Sequence, residues 1–156
     1  MELRRGTPSD AAAIAALIAS FQPELTLDPT GAGAEQYLAS VSEQSERGYL
    51  ESERYAFLLA EIGAELAGFI ALRDGRHLFH LFVARRHQRR GLARQLWRAA
   101  STEALVSGEP GQFTVNSSMN AVRVYTALGF VAVGPVVTGH GIAFQPMQRS
   151  ATEHDA

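Results

Sequence analysis

The sequence predicts a single α/β domain of the α+β kind, with helices flanking a mixed central sheet of about six to seven strands. The chain has 156 residues, of which 46% are hydrophobic and 19% charged, as is typical of one globular domain. Three strand-like segments follow one another between residues 54 and 84, and a strand–helix–strand unit comes next. Hairpins join antiparallel strands and a helical crossover joins parallel ones, so the sheet must contain both kinds of pairing.

The N-terminal third is predicted to hold one strand and two helices. Residues Glu2–Gly6 form the strand, and Thr7–Phe21 form a helix because apolar residues recur at i, i+3, i+4 and i+7. The Pro- and Gly-containing segment Gln22–Gly33 is predicted to be a loop. A second, mostly polar helix is expected over Ala34–Gly48.

Strand patterns dominate the middle of the chain. Arg54–Ile62 and Leu66–Asp74 are expected to form a hairpin, and His77–Ala84 is apolar on both faces, which favours a central position. A helix is predicted over Arg90–Ser107, ended by the turn "GEPG". The later elements are a strand, a helix that ends before Gly129, and two closing strands: Gln112–Asn116, Met119–Leu128, Phe130–Thr138 and Gly141–Gln148.

The predicted order is therefore β-α-α-β-β-β-α-β-α-β-β. The domain is expected to span residues 1–148, and residues 149–156 are expected to be a disordered tail.

Composition excludes several classes of function. The chain has no cysteine, which rules out disulfides and thiolate metal sites, and no lysine to form a Schiff base or serve a P-loop. The net charge is −2 and the pI about 6.2, whereas a dedicated nucleic-acid binder is usually basic. There is no apolar run of membrane-spanning length and no signal-peptide pattern, so a cytoplasmic location is expected.

The stretch "RRHQRRGLARQLW", Arg85–Trp97, places five arginines around one glycine at the start of a predicted helix. Three interpretations are open: a solvated helix start, a nucleic-acid patch, or a phosphate-binding site. The first backbone N–H groups of a helix and its dipole bind anions, and Gly91 with Ala93 lets the backbone approach one closely. Neither a Walker loop nor a dinucleotide fingerprint is present.

The surrounding sequence resembles the acetyl-coenzyme A signature of the GCN5-related N-acetyltransferases (GNAT family). That signature is a strand ending in Val, a short loop, and Q/R-x-x-G-x-G/A. "LFVARRHQRRGLARQL" supplies Val83, Gln88, Gly91 and Ala93 in register. The order of elements is also similar to the GNAT fold.

A second family motif follows at the expected distance. "NSSMNAVRVYTALGF", residues 116–130, resembles N-x-x-A-x-x-x-Y-x-x-x-G-F, with Ala121, Tyr125, Gly129 and Phe130 matching. The motif's Asn falls on Ser118, a residue that can still cap a helix, and Asn116 could take over a contact to coenzyme A.

The resemblance implies direct transfer of an acetyl group from acetyl-CoA to a primary amine, without an acyl-enzyme and without a metal. Tyr125 would protonate the departing thiolate, since a phenol with a pKa of about 10 is protonated at neutral pH. The strand would align the pantetheine arm and the loop would hold the pyrophosphate. The coenzyme A contacts expected are Leu81, Phe82, Val83, Gln88, Arg89, Arg90, Gly91, Leu92, Ala93, Arg94, Asn116, Ser118 and Tyr125.

The base that accepts the amine's proton is left open. His77 is the first candidate because the resemblance places a Glu or His of several relatives there, and His80 is the second. Glu61, His140 or a chain of water molecules are weaker alternatives. Strict alternation puts His77 and His80 on opposite faces of the strand, unless a bulge intervenes. Two histidines that diverge from one strand do not indicate zinc.

The acceptor is expected to be a small-molecule or peptide amine. Its site should involve residues 21–33 and 136–141, where Glu24 and Asp28 either attract a cationic amine or are solvated loop acids. A homodimer is compatible with the resemblance, and neither nucleic acid nor membrane is an expected partner. A non-catalytic acyl-CoA-binding module on the same fold is the main alternative function.

Overall fold

The computed structural model describes residues 1–108 and 111–151. Two residues of the predicted "GEPG" turn, Glu109 and Pro110, and most of the expected tail, residues 152–156, lie outside the described part. The last described strand continues through Ser150, two residues past the expected end of the domain, and Ala151 is buried.

Eight strands and six α-helices make up the described chain. The strands are β1 Glu2–Arg5, β2 Tyr55–Ile62, β3 Glu65–Arg73, β4 His77–Val83, β5 Gln112–Ser118, β6 Val131–Ala132, β7 Val137–Gly139 and β8 Ile142–Ser150. The helices are α1 Ala11–Ala19, α2 Gln22–Leu25, α3 Glu35–Ser40, α4 Glu43–Glu51, α5 Leu92–Ser107 and α6 Val122–Ala127.

The strands form one mixed sheet in the order β1-β2-β3-β4-β5-β8-β6, with β7 also paired to β8. The pairing of β4 with β5 is parallel and the other pairings are antiparallel. Helix α5 supplies the crossover that a parallel pair requires. The predicted mixed sheet is confirmed, although the strand count is higher than expected.

The parallel pair separates after only two residues. His77 pairs with Thr114 and Leu78 with Val115, and no further pairing joins the two strands. Beyond that point β4 remains paired with β3 up to Val83, while β5 follows β8 as far as Ser118. The sheet therefore opens in its middle, and the backbone edge of residues 79–83 of β4 faces the gap.

A β-bulge lies on β4 beside this opening. Ala71 of β3 pairs with His80 and Leu72 with Leu78, so Phe79 is an extra residue in the strand. The bulge puts Phe79 and His80 side by side, with ring centroids 4.3 Å apart. Strict alternation therefore does not hold along this strand.

Two hydrophobic clusters cover the two faces of the sheet. Helices α5 and α6 pack on one face around Trp97, whose ring lies 4.9 Å from Phe113 and 5.2 Å from Phe130. Helices α1 to α4 cover the other face, where Ile14 and Phe69 are fully buried. Each such side chain contributes about 1.5–3 kcal/mol by leaving water.

The structure differs from the predicted elements in three places: a helix and a strand are each divided, and a predicted loop contains a short helix. The helix expected over Ala34–Gly48 is two helices, because Ser42 starts α4 as an N-cap that accepts a hydrogen bond from the Ser45 N–H at 3.2 Å. The expected loop after α1 contains the short helix α2, with Pro23 in its first turn. The predicted strand Phe130–Thr138 is interrupted at Gly134, whose φ is +71°. None of the described helices is both long and apolar enough to cross a bilayer.

Candidate active site

A cleft of about 780 Å³ occupies the gap between β4 and β5. Its walls come from both faces of the sheet, and we divide them accordingly. The loop half consists of Leu81, Val83, Gln88, Arg89, residues 91–94, the end of β5 and α6. The aromatic half comes from residues 21–41, which include α2 and α3, and from β4: Phe21, Leu25, Tyr37, Val41, Phe79, His80 and Phe82.

The loop half is built around the start of α5. Gly91 occupies the N-cap position with φ 77° and ψ 12°, and no side chain caps the helix there. Arg89 is also left-handed, with φ 64°, which costs a non-glycine residue about 1 kcal/mol. Alternating left-handed residues turn successive backbone N–H groups to one side, and the first N–H groups of a helix have no partner within it. The geometry suits an anion.

Space is left open at this helix start. A Cβ at Gly91 would meet no atom within 4 Å. The loop is held from outside by two hydrogen bonds, from the Gln88 side-chain amide to the Val83 carbonyl and from the Arg94 guanidinium to the Ala127 carbonyl, both at 3.0 Å. The backbone around Gly91 is thus fixed while its N–H face remains accessible.

The five arginines of this segment divide by their contacts. Arg85 pairs with Glu24 and lies 4.5 Å over the ring of Phe21, and Arg86 pairs with Glu65. Arg85, Arg89 and Arg94 line the cleft, whereas Arg86 and the exposed Arg90 do not. The sequence motifs did not indicate a fourth cleft arginine, Arg123 on α6, which shares a helix with Tyr125.

The remaining residues expected to contact coenzyme A also line the cleft: Leu81, Phe82, Val83, Gln88, Gly91, Leu92, Ala93, Asn116, Ser118 and Tyr125. The expected capping role of Ser118 is wrong in one respect. Ser118 occupies the N-cap of the turn Met119–Ala121, but its side chain makes no capping hydrogen bond. Instead, Ser117 donates a hydrogen bond to the Ser118 carbonyl at 2.7 Å, and Asn120 donates one to the Glu24 carbonyl at 3.3 Å.

Tyr125 projects from α6 into the loop half of the cleft. It is 6% exposed, and its ring packs edge-on against Phe130 at 5.9 Å between centroids. Burial raises the pKa of the Tyr125 phenol above its usual range. The hydroxyl therefore stays protonated at neutral pH and can serve as a proton donor.

The first candidate base, His77, is not among the residues that line the cleft. Its Nδ1 lies 2.8 Å from the Thr114 hydroxyl, at the end where β4 and β5 are still paired. Burial, together with the nearby positive charge of Arg73, lowers the pKa of His77. Two weaker candidates are also away from the cleft lining: Glu61 pairs with Arg4, and His140 is exposed in the β7–β8 turn.

Of the histidines considered as candidate bases, His80 is the one that the structure places in the cleft, which His87 also lines. It is 7% exposed, and its Nε2 lies 3.0 Å from Oε2 of Glu46, which is fully buried on α4. Glu46 was not identified from the sequence, where α4 reads as a polar, solvated helix. Its spacing from Tyr49 and Leu50, at i+3 and i+4, is the signal that puts it on the buried side.

The two loop acids have different surroundings. Glu24 lines the cleft, but its carboxylate is paired with Arg85. Asp28 is an exposed loop acid that accepts hydrogen bonds from the Thr30 N–H at 2.9 Å and hydroxyl at 2.8 Å, which lowers the pKa of Asp28. Among residues 1–108 and 111–151, no group of three or more His, Asp or Glu side chains is arranged to hold a metal ion.

Comparison with known families identifies the family of the chain. Residues 25–151 match the family model described as "Acetyltransferase (GNAT) domain". The chain therefore belongs to the GNAT acetyltransferase family. No curated protein sequence matches the chain significantly.

Solved structures share the fold at low sequence identity. A GCN5-related N-acetyltransferase from Rhodopseudomonas palustris is 24% identical, with a TM-score of 0.73 over 96% of this chain and 94% of that one. The PaiA N-acetyltransferase of Thermoplasma acidophilum, solved with coenzyme A, is 17% identical, with a TM-score of 0.73 over 96% and 98%. An aminoglycoside 6'-N-acetyltransferase complexed with coenzyme A is 15% identical, with a TM-score of 0.70 over both whole chains.

Proposed function

We propose that this protein transfers an acetyl group from acetyl-CoA directly to a primary amine. The observation that carries the proposal is the cleft itself. It opens where two parallel strands separate, and it ends at the uncapped, glycine-started N-terminus of α5. Two of the structures that share the fold were solved with coenzyme A, which supports this assignment of the cosubstrate.

The residues of the loop half fit the chemistry of coenzyme A. Its pyrophosphate would be bound by the backbone N–H groups around Gly91, with Arg89 and Arg94 as supporting charges. The pantetheine arm carries amides, and the edge of β4 that β5 leaves unpaired, around Leu81, offers donors and acceptors to pair with them. The Val83 carbonyl on this edge accepts from the Gln88 side-chain amide. Acetyl-CoA would bring the activated thioester, and the protein would supply alignment and proton transfer.

The reaction balances without a further reactant. The lone pair of the amine nitrogen forms a bond to the thioester carbonyl carbon, and the carbon–sulfur bond breaks with its electron pair on sulfur. Tyr125, which lines the cleft, would give a proton to that sulfur. The proton lost by the nitrogen goes to a base in the cleft. The products are one amide and one free thiol.

The experiment is a screen of primary amines with acetyl-CoA in which thiol release and acetylated product are measured together. We expect one thiol for each amide formed. Tight coenzyme A binding with no turnover across the whole panel would instead indicate a non-catalytic acyl-CoA-binding module. Binding of DNA or RNA with a steep salt dependence and no competition from coenzyme A would indicate that the arginines serve nucleic acid.

A further inference from the structure

The aromatic half of the cleft limits the kind of amine that can enter. Building on the proposed acetyl transfer, we propose that the acceptor is a primary amine carried on an apolar, ring-sized body, and not a polycation. The argument uses the side chains that line this half and the charges around the cleft.

The lining is apolar and rich in rings. Phe21 and Phe82 contact each other at 5.8 Å between centroids, and Phe79 lies 4.9 Å from Tyr49 and 5.0 Å from Tyr55 behind it. Leu25, Tyr37 and Val41 complete this half from α2, α3 and the residue after α3. Side chains that pack against one another in this way form a stable apolar wall, which favours an acceptor with an apolar body.

The charges around the cleft disfavour a polycation. Glu24 is the only carboxylate among the described lining residues, and it is already paired with Arg85. Four arginines line the same cleft: Arg85, Arg89, Arg94 and Arg123. An acceptor with several ammonium groups would meet like charges without a free carboxylate to balance them.

The test compares initial rates at saturating acetyl-CoA for 2-phenylethylamine, ethylamine and spermidine. We expect kcat/KM for 2-phenylethylamine to exceed that for ethylamine by at least about tenfold, because burial of a phenyl ring contributes that much or more. We expect spermidine to be the poorest acceptor per amine group. Equal rates for phenylethylamine and ethylamine, or preference for spermidine, would overturn the proposal.

Two leucines provide matched variants. Leu25→Ala should reduce the preference for 2-phenylethylamine over ethylamine by at least about threefold, because Leu25 lines the cleft. Leu27→Ala should leave the preference unchanged, because Leu27 is 58% exposed and not in the lining. Acetylation of none of the amines would contradict the proposed function, whereas acetylation without this preference would contradict only the acceptor class.

A second inference rests on a separate observation, the buried contact between Glu46 and His80. We infer that His80 accepts the proton of the attacking amine and that Glu46 is its positioning residue. This inference also rests on the proposed function. His80 lines the cleft and Glu46 does not, so the histidine stands between the acceptor and the carboxylate.

The hydrogen bond to Glu46 determines which nitrogen of the His80 ring carries the lone pair. With the Glu46 carboxylate accepting from Nε2–H at 3.0 Å, the lone pair of His80 lies on Nδ1. Nδ1 has no hydrogen-bond partner among the described residues. A neutral imidazole held in this tautomer can take a proton at Nδ1, and the neighbouring carboxylate stabilises the imidazolium that forms.

The surroundings of Glu46 argue against a purely structural role for the Glu46–His80 pair. The side chain is fully buried, and its second oxygen, Oε1, has no hydrogen-bond partner among the described residues. An unsatisfied buried carboxylate oxygen is costly for stability. Tyr49 on α4 and Tyr37 on α3 are the other titratable groups nearby, with Phe57 and Phe69 contacting His80 from β2 and β3.

The test is the isosteric substitution Glu46→Gln, with kcat, KM and the pH profile measured for acetylation of 2-phenylethylamine or the best amine in the panel. We expect kcat to fall by at least about tenfold, with KM for acetyl-CoA unchanged. The acid limb of the profile should move to lower pH, because loss of the negative neighbour destabilises the protonated imidazole. Glu46→Asp should retain more activity than Glu46→Gln.

Two further measurements separate positioning from a structural role. Glu43→Gln, an exposed residue of the same helix that pairs with Arg47, should leave both kcat and the acid limb unchanged. Nitrogen-15 NMR of the wild type should show the neutral His80 ring with its proton on Nε2, a result that needs no variant to fold. An Nδ1–H tautomer, or a Glu46→Gln enzyme with wild-type kcat and acid limb, would overturn the inference.

Discussion

The two halves of the cleft solve different problems with different parts of the chain. The loop half presents backbone groups that a short sequence motif places at one helix start, and its glycine leaves open space beside them. The aromatic half depends on side chains from separate elements. Its buried hydrogen bond joins His80 to Glu46, which are 34 positions apart in the sequence. Anchoring an anion needs only local geometry, whereas placing a base requires burial and packing.

The loop half should be the more sensitive to a single change. Gly91→Glu should lower the affinity for coenzyme A by about 100-fold, or ~2.7 kcal/mol. The new side chain brings a negative charge towards the pyrophosphate, and an L residue is strained at φ 77°. Isothermal titration of coenzyme A measures the effect.

Gly63→Glu is the matched control for that variant. Gly63 lies in the β2–β3 turn with φ 66° and equally open surroundings, so it carries the same backbone strain away from the cleft. The affinity of the Gly63→Glu variant for coenzyme A should equal that of the wild type. Unchanged affinity in Gly91→Glu, or equal losses in both variants, would mean that the start of α5 does not bind the anion.

The next largest effect is expected at the acid. Tyr125→Phe should lower kcat by about 10- to 100-fold and change KM for acetyl-CoA little, because the ring packing is kept and only the proton donor is lost. Steady-state thiol release measures both constants. Tyr55→Phe, on β2 and outside the cleft lining, should match the wild type. Full activity of the Tyr125→Phe variant would mean that Tyr125 is not the proton donor.

The arginines should matter less than the glycine between them. Arg89→Ala should weaken coenzyme A binding by about threefold to tenfold, and the loss should shrink at high salt because the charge is solvent-screened. Arg86→Ala removes a neighbouring charge that is paired with Glu65 outside the cleft, so it should have no effect. Equal effects of the two variants would mean that only net charge attracts the ligand.

The smallest effect on turnover is expected at His77. His77→Asn should change kcat by less than about twofold, since general bases contribute far more than that and His77 lies outside the cleft lining. A tenfold fall in kcat would indicate that His77 takes part in the reaction.

The same histidine should instead influence stability. Because the folded pKa of His77 is lowered, the unfolded chain binds the proton more readily, and stability is lost as pH falls through the unfolded value of about 6.5. Urea unfolding at pH 7.5 and pH 5 should show a smaller acid-induced loss for His77→Asn than for the wild type. An equal loss in both would show that other groups cause it.

The sequence predicted most of the fold and the loop half, and the reasons are local. The strand and helix order follows from hydrophobic periodicity, and Gly91 is recognisable because its place between strand and helix calls for a residue that tolerates φ above zero. Predictions that depended on longer-range structure fared worse. The helix over Ala34–Gly48 divides because Ser42 caps a new helix, a choice that periodicity alone does not reveal.

The position of the histidines shows the same limit. Residue parity along β4 depends on Phe79, and a bulge exists only relative to the register with β3. A sequence can contain two histidines three residues apart, but their surroundings are set by neighbouring strands and helices. The structure placed His77 beside Thr114 and His80 beside Glu46.

By itself, then, the amino-acid sequence determined the class of fold and the glycine-started N-terminus of α5, because both are properties of short, contiguous segments. Only the tertiary structure decided where the sheet opens, which arginines face the cleft and which carboxylate accompanies the cleft histidine. Those features arise when distant segments exclude water together, since burial turns a polar helix residue such as Glu46 into a partner for His80.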